Sequence, residues 1–426
     1  MTVRPVSAAH NAKARHAVDL RVDAARLGRD LEELGAIGRT AEGGVSRPSW
    51  SEADVQARRW LQGRIEAAGL EPRVDAAGNI FGRWQSGGPV VMAGSHLDSV
   101  PNGGAFDGAL GVLAGLECLR RIKEEGIQLR HPLELVAFTD EEGAFGGFFG
   151  SYAFTGALRS EEIPNLKDAT GLRMVDAMAQ RGMDAMTAPA AFRDPKVVRA
   201  YVELHIEQGP VLETHRVPIG IVDAIVGIRR FGITFRGRAD HAGTTPMPDR
   251  RDALLGAADL VQQGRKLVLT DGTPASRLTV GVLKVKPGAA NIVPAEVYLT
   301  YELREVSAEM LRSLAVRSRA LIADIASAWG LTVSVETILE IEPVPLADEI
   351  KECIAAAAEE LGHTHMRLPA MAGHDAQVVG RVAKAGMIFV PSKDGRSHSP
   401  AEFTSDEDVE RGANVLLLTL LKLAAQ

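Results

Sequence analysis

The 426-residue chain carries 48 basic and 55 acidic side chains, a formal charge of −7, and 46% of its residues are apolar. This supplies core material for two or three domains. The acidic balance, with no sustained Lys/Arg block, excludes a nucleic-acid groove or an anionic-membrane surface, and no run reaches the roughly 18 apolar residues of a membrane span.

The first sixteen residues carry Arg4, Lys13 and Arg15 and no acid. They lack the apolar core of a signal peptide and a clear amphipathic pattern, and are read as a frayed terminus. Helical spacing follows over Leu20 to Leu34 and over Glu52 to Ala68, with Ser51 as an N-cap. From Glu71 the pattern turns to short strands, Pro72 to Val74, Asn79 to Trp84 and Val90 to Ala93, and a long helix begins near Asp107. Leu133 to Phe138 and Ala200 to Ile206 read as buried strands, with residues 160–195 as an excursion between them. Strands alternating with helices predict an α/β fold: a mixed, largely parallel sheet flanked by helices.

Between about 214 and 329 the texture changes. Val226 to Phe235 alternates, Arg251 to Leu269 is helical, Leu278 to Val285 and Glu296 to Arg304 are strand-like, and Ser307 to Trp329 is helical. This β-α-β-β-α order predicts an inserted α+β domain over 214–329, leaving 1–213 and 330–426 as the main domain. The main domain resumes with helices Ala347 to Leu361 and Asp375 to Ala385, strand Met387 to Val390, and a closing helix from Asp406. Cys118 and Cys353 stand far apart in apolar helical patterns, which excludes a disulfide framework and fits a reducing, cytoplasmic compartment.

Four predicted strands end in polar, metal-ligand residue types: Gly94-Ser95-His96-Leu97-Asp98 with Asp107 beyond it, Thr139-Asp140-Glu141-Glu142, His205-Ile206-Glu207-Gln208, and Ser392 through His398. Ligands bind at the carboxyl ends of strands in open α/β sheets, so these four loops are expected to converge. Imidazoles and carboxylates without cysteine suit Zn²⁺, Mn²⁺ or Co²⁺ better than an iron–sulfur cluster or an oxygen-only Ca²⁺ cage. A two-ion centre fits best, with Asp107 able to bridge, one ion taking His96 or His205 and the other Glu142 and His398. Singly, each residue has an ordinary alternative as a hydrogen-bonded histidine or a solvated turn. No Gly-x-Ser-x-Gly elbow and no phosphate loop is present.

These loops, together with Gly237-Arg238-Ala239-Asp240-His241-Ala242-Gly243-Thr244-Thr245-Pro246-Met247 and Ala372-Gly373-His374-Asp375-Ala376-Gln377, resemble the amidohydrolase and carbamoylase branch of the M20 dinuclear zinc peptidase family. That branch holds N-carbamoyl-L-amino acid hydrolases, allantoate amidohydrolases and β-ureidopropionases. The resemblance runs from about Leu20 to the C-terminus. It implies metal ligands at His96, Asp107 (bridging), Glu142, His205 and His398, a general base at Glu141, and Asp98 orienting His96. It also implies substrate contacts from Gln208, His241, Asn291, Arg304 and Gly373, with His241 reaching the site of a partner subunit in a homodimer formed through the inserted domain. Two divalent ions per subunit are implied, Zn²⁺ first, with Mn²⁺, Co²⁺ or Ni²⁺ as alternatives.

The expected activity is hydrolysis of a small ureido substrate, an N-carbamoyl-L-amino acid, to the amino acid, CO₂ and ammonia. The runners-up are allantoate or β-ureidopropionate hydrolysis, then an M20 aminopeptidase or aminoacylase, then a silent ureido-ligand binder. The paired Glu141-Glu142 argues against the last, since a binder needs no base. One departure stands out: relatives carry an Arg-Phe pair after the paired glutamates, whereas here Ala144 to Phe149 forms a shorter loop. Without the resemblance, Arg304 reads as a strand residue paired with Glu302 or Glu305.

Overall fold

The apolar runs read as buried strands lie side by side in the computed structural model, which describes residues 20–85 and 87–426. The expectation for the first sixteen residues lies outside them. The first compact unit takes residues up to Asp223, Leu346–Leu368 and Gly373–Gln426. Its strands are β1 (Glu71–Val74), β2 (Ile80–Trp84), β3 (Val90–His96), β4 (Leu133–Phe138), β5 (Val198–Ile206) and β6 (Ile219–Ile225), joined later by β13 (His365–Ala370) and β14 (Ala385–Val390).

The order across the sheet is β1-β2-β4-β3-β5-β14-β6, with β13 also on β6. The middle four, β4, β3, β5 and β14, are parallel, and β2 and β6 flank them antiparallel. β3, β4 and β14 are buried along their whole length, as strands covered on both faces must be. Helices 24–36, 109–124, 348–360 and 406–425 share one large core with the sheet, and Trp50, Phe145, Phe149, Met174 and Met178 anchor a second cluster. The parallel arrangement puts four carboxyl ends on one edge, His96 opposite Phe138 and Val390 opposite Ile206. All four polar loops leave from that edge.

The second unit, Ala224–Pro345 with Pro369–Ala372, holds β7 (Gly227–Arg236), β8 (Arg277–Thr279), β9 (Leu283–Lys286), β10 (Glu296–Glu305) and β11 (Thr332–Ile341). β7 lies between β11 and β10, and β8 and β9 both pair with the far side of β10. Val297, Leu299, Tyr301 and Leu303 alternate inward from β10 to a core shared with helices 253–271 and 308–328.

The structure moves several expected boundaries. Leu278 to Val285 is two strands, interrupted around Gly281, and not one. β11, a half-exposed strand without an apolar run, pairs along β7, so the units divide at Asp223/Ala224 and Pro345/Leu346 rather than at 213/214 and 329/330. A short strand β12 (Val344–Pro345) closes the second unit against Ala224 and Ile225. The helix expected over Asp375 to Ala385 stops at Val379; residues 380–384 turn, and Ala385 begins β14 opposite Tyr201. Among the described residues no helix is long and apolar enough to cross a membrane.

Candidate metal centre

β3 and β5 pair in parallel with Ala93 beside Val202. Further along the same ladder His96 and His205 come abreast, their ring centroids 6.1 Å apart. Asp107, at the entry to helix 109–124, stands between them. Its Oδ1 lies 3.5 Å from His96 Nε2 and 3.2 Å from His205 Nε2. Its Oδ2 lies 3.4 Å from His398 Nε2, which is 3.4 Å from Glu142 Oε2. The structure thus brings all five expected side chains together as two triads, His96/Asp107/His205 and Asp107/Glu142/His398, each with its ligand atoms within 4.8 Å of one another. Gly108 makes the turn possible: its φ is +64°, and a Cβ there would lie 2.4 Å from His96 Cε1.

The donor set fits divalent ions. His96 Nδ1 lies 2.9 Å from the Asp98 carbonyl and His205 Nδ1 2.8 Å from the Ile206 carbonyl. A carbonyl only accepts, so each Nδ1 carries a hydrogen and each Nε2 is the ring atom presented to Asp107, able to ligate a cation once it carries no proton. Glu142 Oε1 is buried without a hydrogen-bond partner. Imidazole and carboxylate donors without thiolate are the ligand types that hold divalent metal ions.

The electrostatics agree. Burial opposes charge on His96, yet Glu141, Asp107 and Asp98 outweigh it and raise its pKa well above the usual histidine range. The Asp107 contact lifts His398 to about 9. Burial and then Asp107 push Glu142 up to about 7. The cluster therefore draws positive charge, as protons or as metal. Burial, reinforced by Glu142, Asp375 and Asp107, raises Glu141 well above the carboxylate range, against the pull of His96, from which it stands 3.7 Å.

Asp98 does not make the contact expected of it. Its carboxylate is 3.8 Å from His96 Nδ1, and its backbone carbonyl receives the imidazole N–H instead. The carboxylate is occupied by the backbone N–H groups of Glu141 (3.4 Å) and Glu142 (3.1 Å). The loop after the paired glutamates folds on Asp140, which accepts from the N–H groups of Phe145, Gly146 and Gly147.

Gln208, at φ +58°, donates from Nε2 to Asp107 Oδ2 at 2.7 Å and leaves its buried Oε1 without a partner. Gly373 lies under the Phe148 ring, 2.7 Å from where a Cβ would stand. In the second unit His241 and Asn291 share a loop pair, the Asn291 carbonyl accepting from Ala242 N–H. His241 Nδ1 accepts from Gly243 and Thr244 N–H, leaving Nε2 to carry the hydrogen. Arg304 donates to Glu302 at 2.7 Å and to the Met371 carbonyl at 2.9 Å.

Sequence reasoning gave no role to five supporting residues. Glu203 is fully buried and accepts from Ser95, Tyr201 and Ala376 N–H. A charged residue two before His205 in an apolar strand was its signal. Beside it the His374 ring meets His205 edge-on at 4.5 Å, with Nε2 buried and unpartnered. Arg47, 1% exposed, donates to the carbonyls of Leu97, Leu34 and Ile37. Ser397 and Glu402 touch Asp107 or its backbone. Nothing in the sequence marks Arg47 or Glu402.

Residues 92–422 match the model of peptidase family M20/M25/M40. The chain is 42% identical over 408 residues to an N-carbamoyl-L-amino acid amidohydrolase of Geobacillus stearothermophilus, covering 94% of this chain and 98% of that one. It is 36% identical over 400 residues to an allantoate amidohydrolase of Bacillus subtilis, covering 92% and 96%. Among solved structures, an amidase of the hydantoinase/carbamoylase family from Burkholderia multivorans superposes with a TM-score of 0.88 at 38% identity, over 96% of this chain and 99% of that one.

Proposed function

The chain belongs to peptidase family M20/M25/M40, and we propose that it hydrolyses the carbamoyl C–N bond of an N-carbamoyl-L-amino acid, releasing the L-amino acid, CO₂ and ammonia with one water consumed. The observation that carries this is the pair of triads sharing Asp107 with Glu141 alongside, in a chain 42% identical to a carbamoyl-amino acid amidohydrolase.

One ion would be held by His96, His205 and Asp107 and the other by Asp107, Glu142 and His398. When bound, such a pair supplies Lewis acidity to the carbonyl and lowers the pKa of water. Zn²⁺ is the first choice, then Mn²⁺, Co²⁺ or Ni²⁺. Glu141 takes the proton of the attacking water and returns it to the leaving nitrogen; burial, the first cause, holds its carboxyl above the usual carboxylate range. Glu142, held by the neighbouring backbone N–H contact to Asp98, keeps the ligand role.

His241 offers an outward Nε2–H for the tetrahedral oxyanion. The Arg304 fork takes the substrate α-carboxylate, with Asn291 as a neutral donor. Gln208 and Gly373 complete the substrate contacts. The second unit acts as a lid and as the interface of a homodimer; exposed Leu269, Leu283 and Val316 support such an interface. Buried free thiols at Cys118 and Cys353 support a cytoplasmic setting.

Allantoate is the second reading, favoured by the Bacillus subtilis relative. Parallel assays of the metal-loaded protein with N-carbamoyl-L-methionine, allantoate and a dipeptide separate the possibilities. Turnover of the dipeptide alone removes the carbamoyl reading, and turnover of allantoate alone replaces it with the second.

A further inference from the structure

Glu402 is buried at 7% exposure, four residues beyond His398 on the loop after β14. Its Oε1 accepts from the backbone N–H of Phe106 at 2.9 Å and of Asp107 at 3.1 Å. Its Oε2 accepts from the Ser397 hydroxyl at 2.8 Å. The same hydroxyl stands 2.8 Å from Asp107 Oδ2. One carboxylate therefore ties together two loops distant in sequence, one carrying Asp107 and the other His398. Gly104 lets the backbone close around it, since a Cβ there would lie 1.9 Å from Glu402 Cδ.

Burying a carboxylate is costly unless its lone pairs are matched, and an apolar side chain would join two loops with less desolvation. The donors chosen here are informative: the N–H of Asp107 itself, and a hydroxyl shared with Asp107 Oδ2. That oxygen faces His398 and not His96 or His205.

We propose that Glu402 is a positioning residue of the metal centre, setting the spacing of Asp107 Oδ2 and His398 Nε2 and hence the affinity of the ion those residues share with Glu142. It rests on the metal reading of Asp107 and His398 and is independent of the substrate. His96 and His205 face Asp107 Oδ1, the oxygen that Ser397 does not touch, so the ion they would hold is not tied to Glu402 in this way.

The test is a Zn²⁺ titration of the full-length apoprotein against a chromophoric chelator, with the apoprotein's thermal midpoint measured on the same samples. Wild type takes two ions. Glu402→Asp keeps the charge but lacks the reach to span both N–H groups and the hydroxyl. It is expected to bind one ion as wild type and the other ~10–100-fold more weakly, with the apoprotein midpoint lowered only by the donor left unmatched. Glu402→Gln keeps an acceptor for the N–H pair and a donor for Ser397, and is expected to hold both ions within about threefold. Ser397→Ala, which removes one hydroxyl, weakens the same ion as Glu402→Asp. Unaltered binding of both ions in Glu402→Asp and Ser397→Ala overturns the proposal. So does parallel weakening of both ions with a fallen apoprotein midpoint, the behaviour of a general loop staple. A wild type that takes up no ion defeats the metal reading itself.

Discussion

Asp98 Oδ2 accepts the backbone N–H of Glu142 at 3.1 Å, while Asp98's own carbonyl receives the N–H of His96. One residue thus orients a candidate ligand with its backbone and fixes the strand-end carboxylates with its side chain. The loop after β3 is thereby coupled to the loop after β4.

Asp98→Ala leaves the buried N–H of Glu141 and the part-buried N–H of Glu142 without their acceptor, costing about 1–3 kcal/mol of stability, and frees Glu141 and Glu142 to shift. Asp98→Asn retains one acceptor oxygen. The expected order of kcat is wild type, then Asn, then Ala, and denaturant midpoints should follow it. An Ala variant as active as wild type contradicts the coupling.

Glu141→Gln removes the base while preserving shape. A loss of about 10²–10⁴-fold in kcat is expected, with metal content by mass spectrometry unchanged. Retained turnover would falsify the assigned role, and lost metal would reassign Glu141 as a ligand.

Removal of metal with a chelator should abolish turnover and lower the thermal midpoint, because ions bound only by the folded state stabilise it by mass action, about 4 kcal/mol at a thousandfold excess over Kd. Adding back Zn²⁺, Mn²⁺ or Co²⁺ should restore both. An unchanged midpoint on chelation and reloading speaks against the two-triad site.

Arg304→Lys replaces a planar fork with a point charge. KM for a carbamoyl amino acid is expected to rise about 10–100-fold, the worth of a hydrogen bond to a charged group, with a smaller change in kcat. If kcat falls and KM holds, Arg304 serves the chemistry and not the α-carboxylate.

Arg47→Met keeps much of the volume but strips the buried carbonyls of Leu97, Leu34 and Ile37 of their donor. Burial already pulls the Arg47 guanidinium down to about 10, so part of the loss is offset by no longer burying a charge. A net destabilisation of roughly 2–4 kcal/mol is expected in urea. A neutral result assigns those carbonyls other partners on relaxation.

The buried strands Leu133 to Phe138 and Ala200 to Ile206 were legible because parallel strands covered on both faces are predominantly apolar. β11 was illegible for the opposite reason: its half-exposed residues carry no apolar run, and its pairing with β7 is a long-range choice. His96, Asp107, Glu142, His205 and His398 stood out as polar groups at the ends of such strands. Arg47 and Glu402 did not, since a buried charge looks like a surface charge until its partners, far away in the chain, are placed.

The order of residues by itself determined which runs are buried strands and which polar loops follow them, since periodicity and apolarity are local properties. Only the folded chain decided that His96 and His205 oppose the same Asp107 oxygen, that Asp98 serves the glutamates with its carboxylate, and that Glu402 grips the Asp107 loop. Those outcomes depend on ångström-scale distances between segments hundreds of residues apart, set by strand register and packing, and no local pattern encodes them.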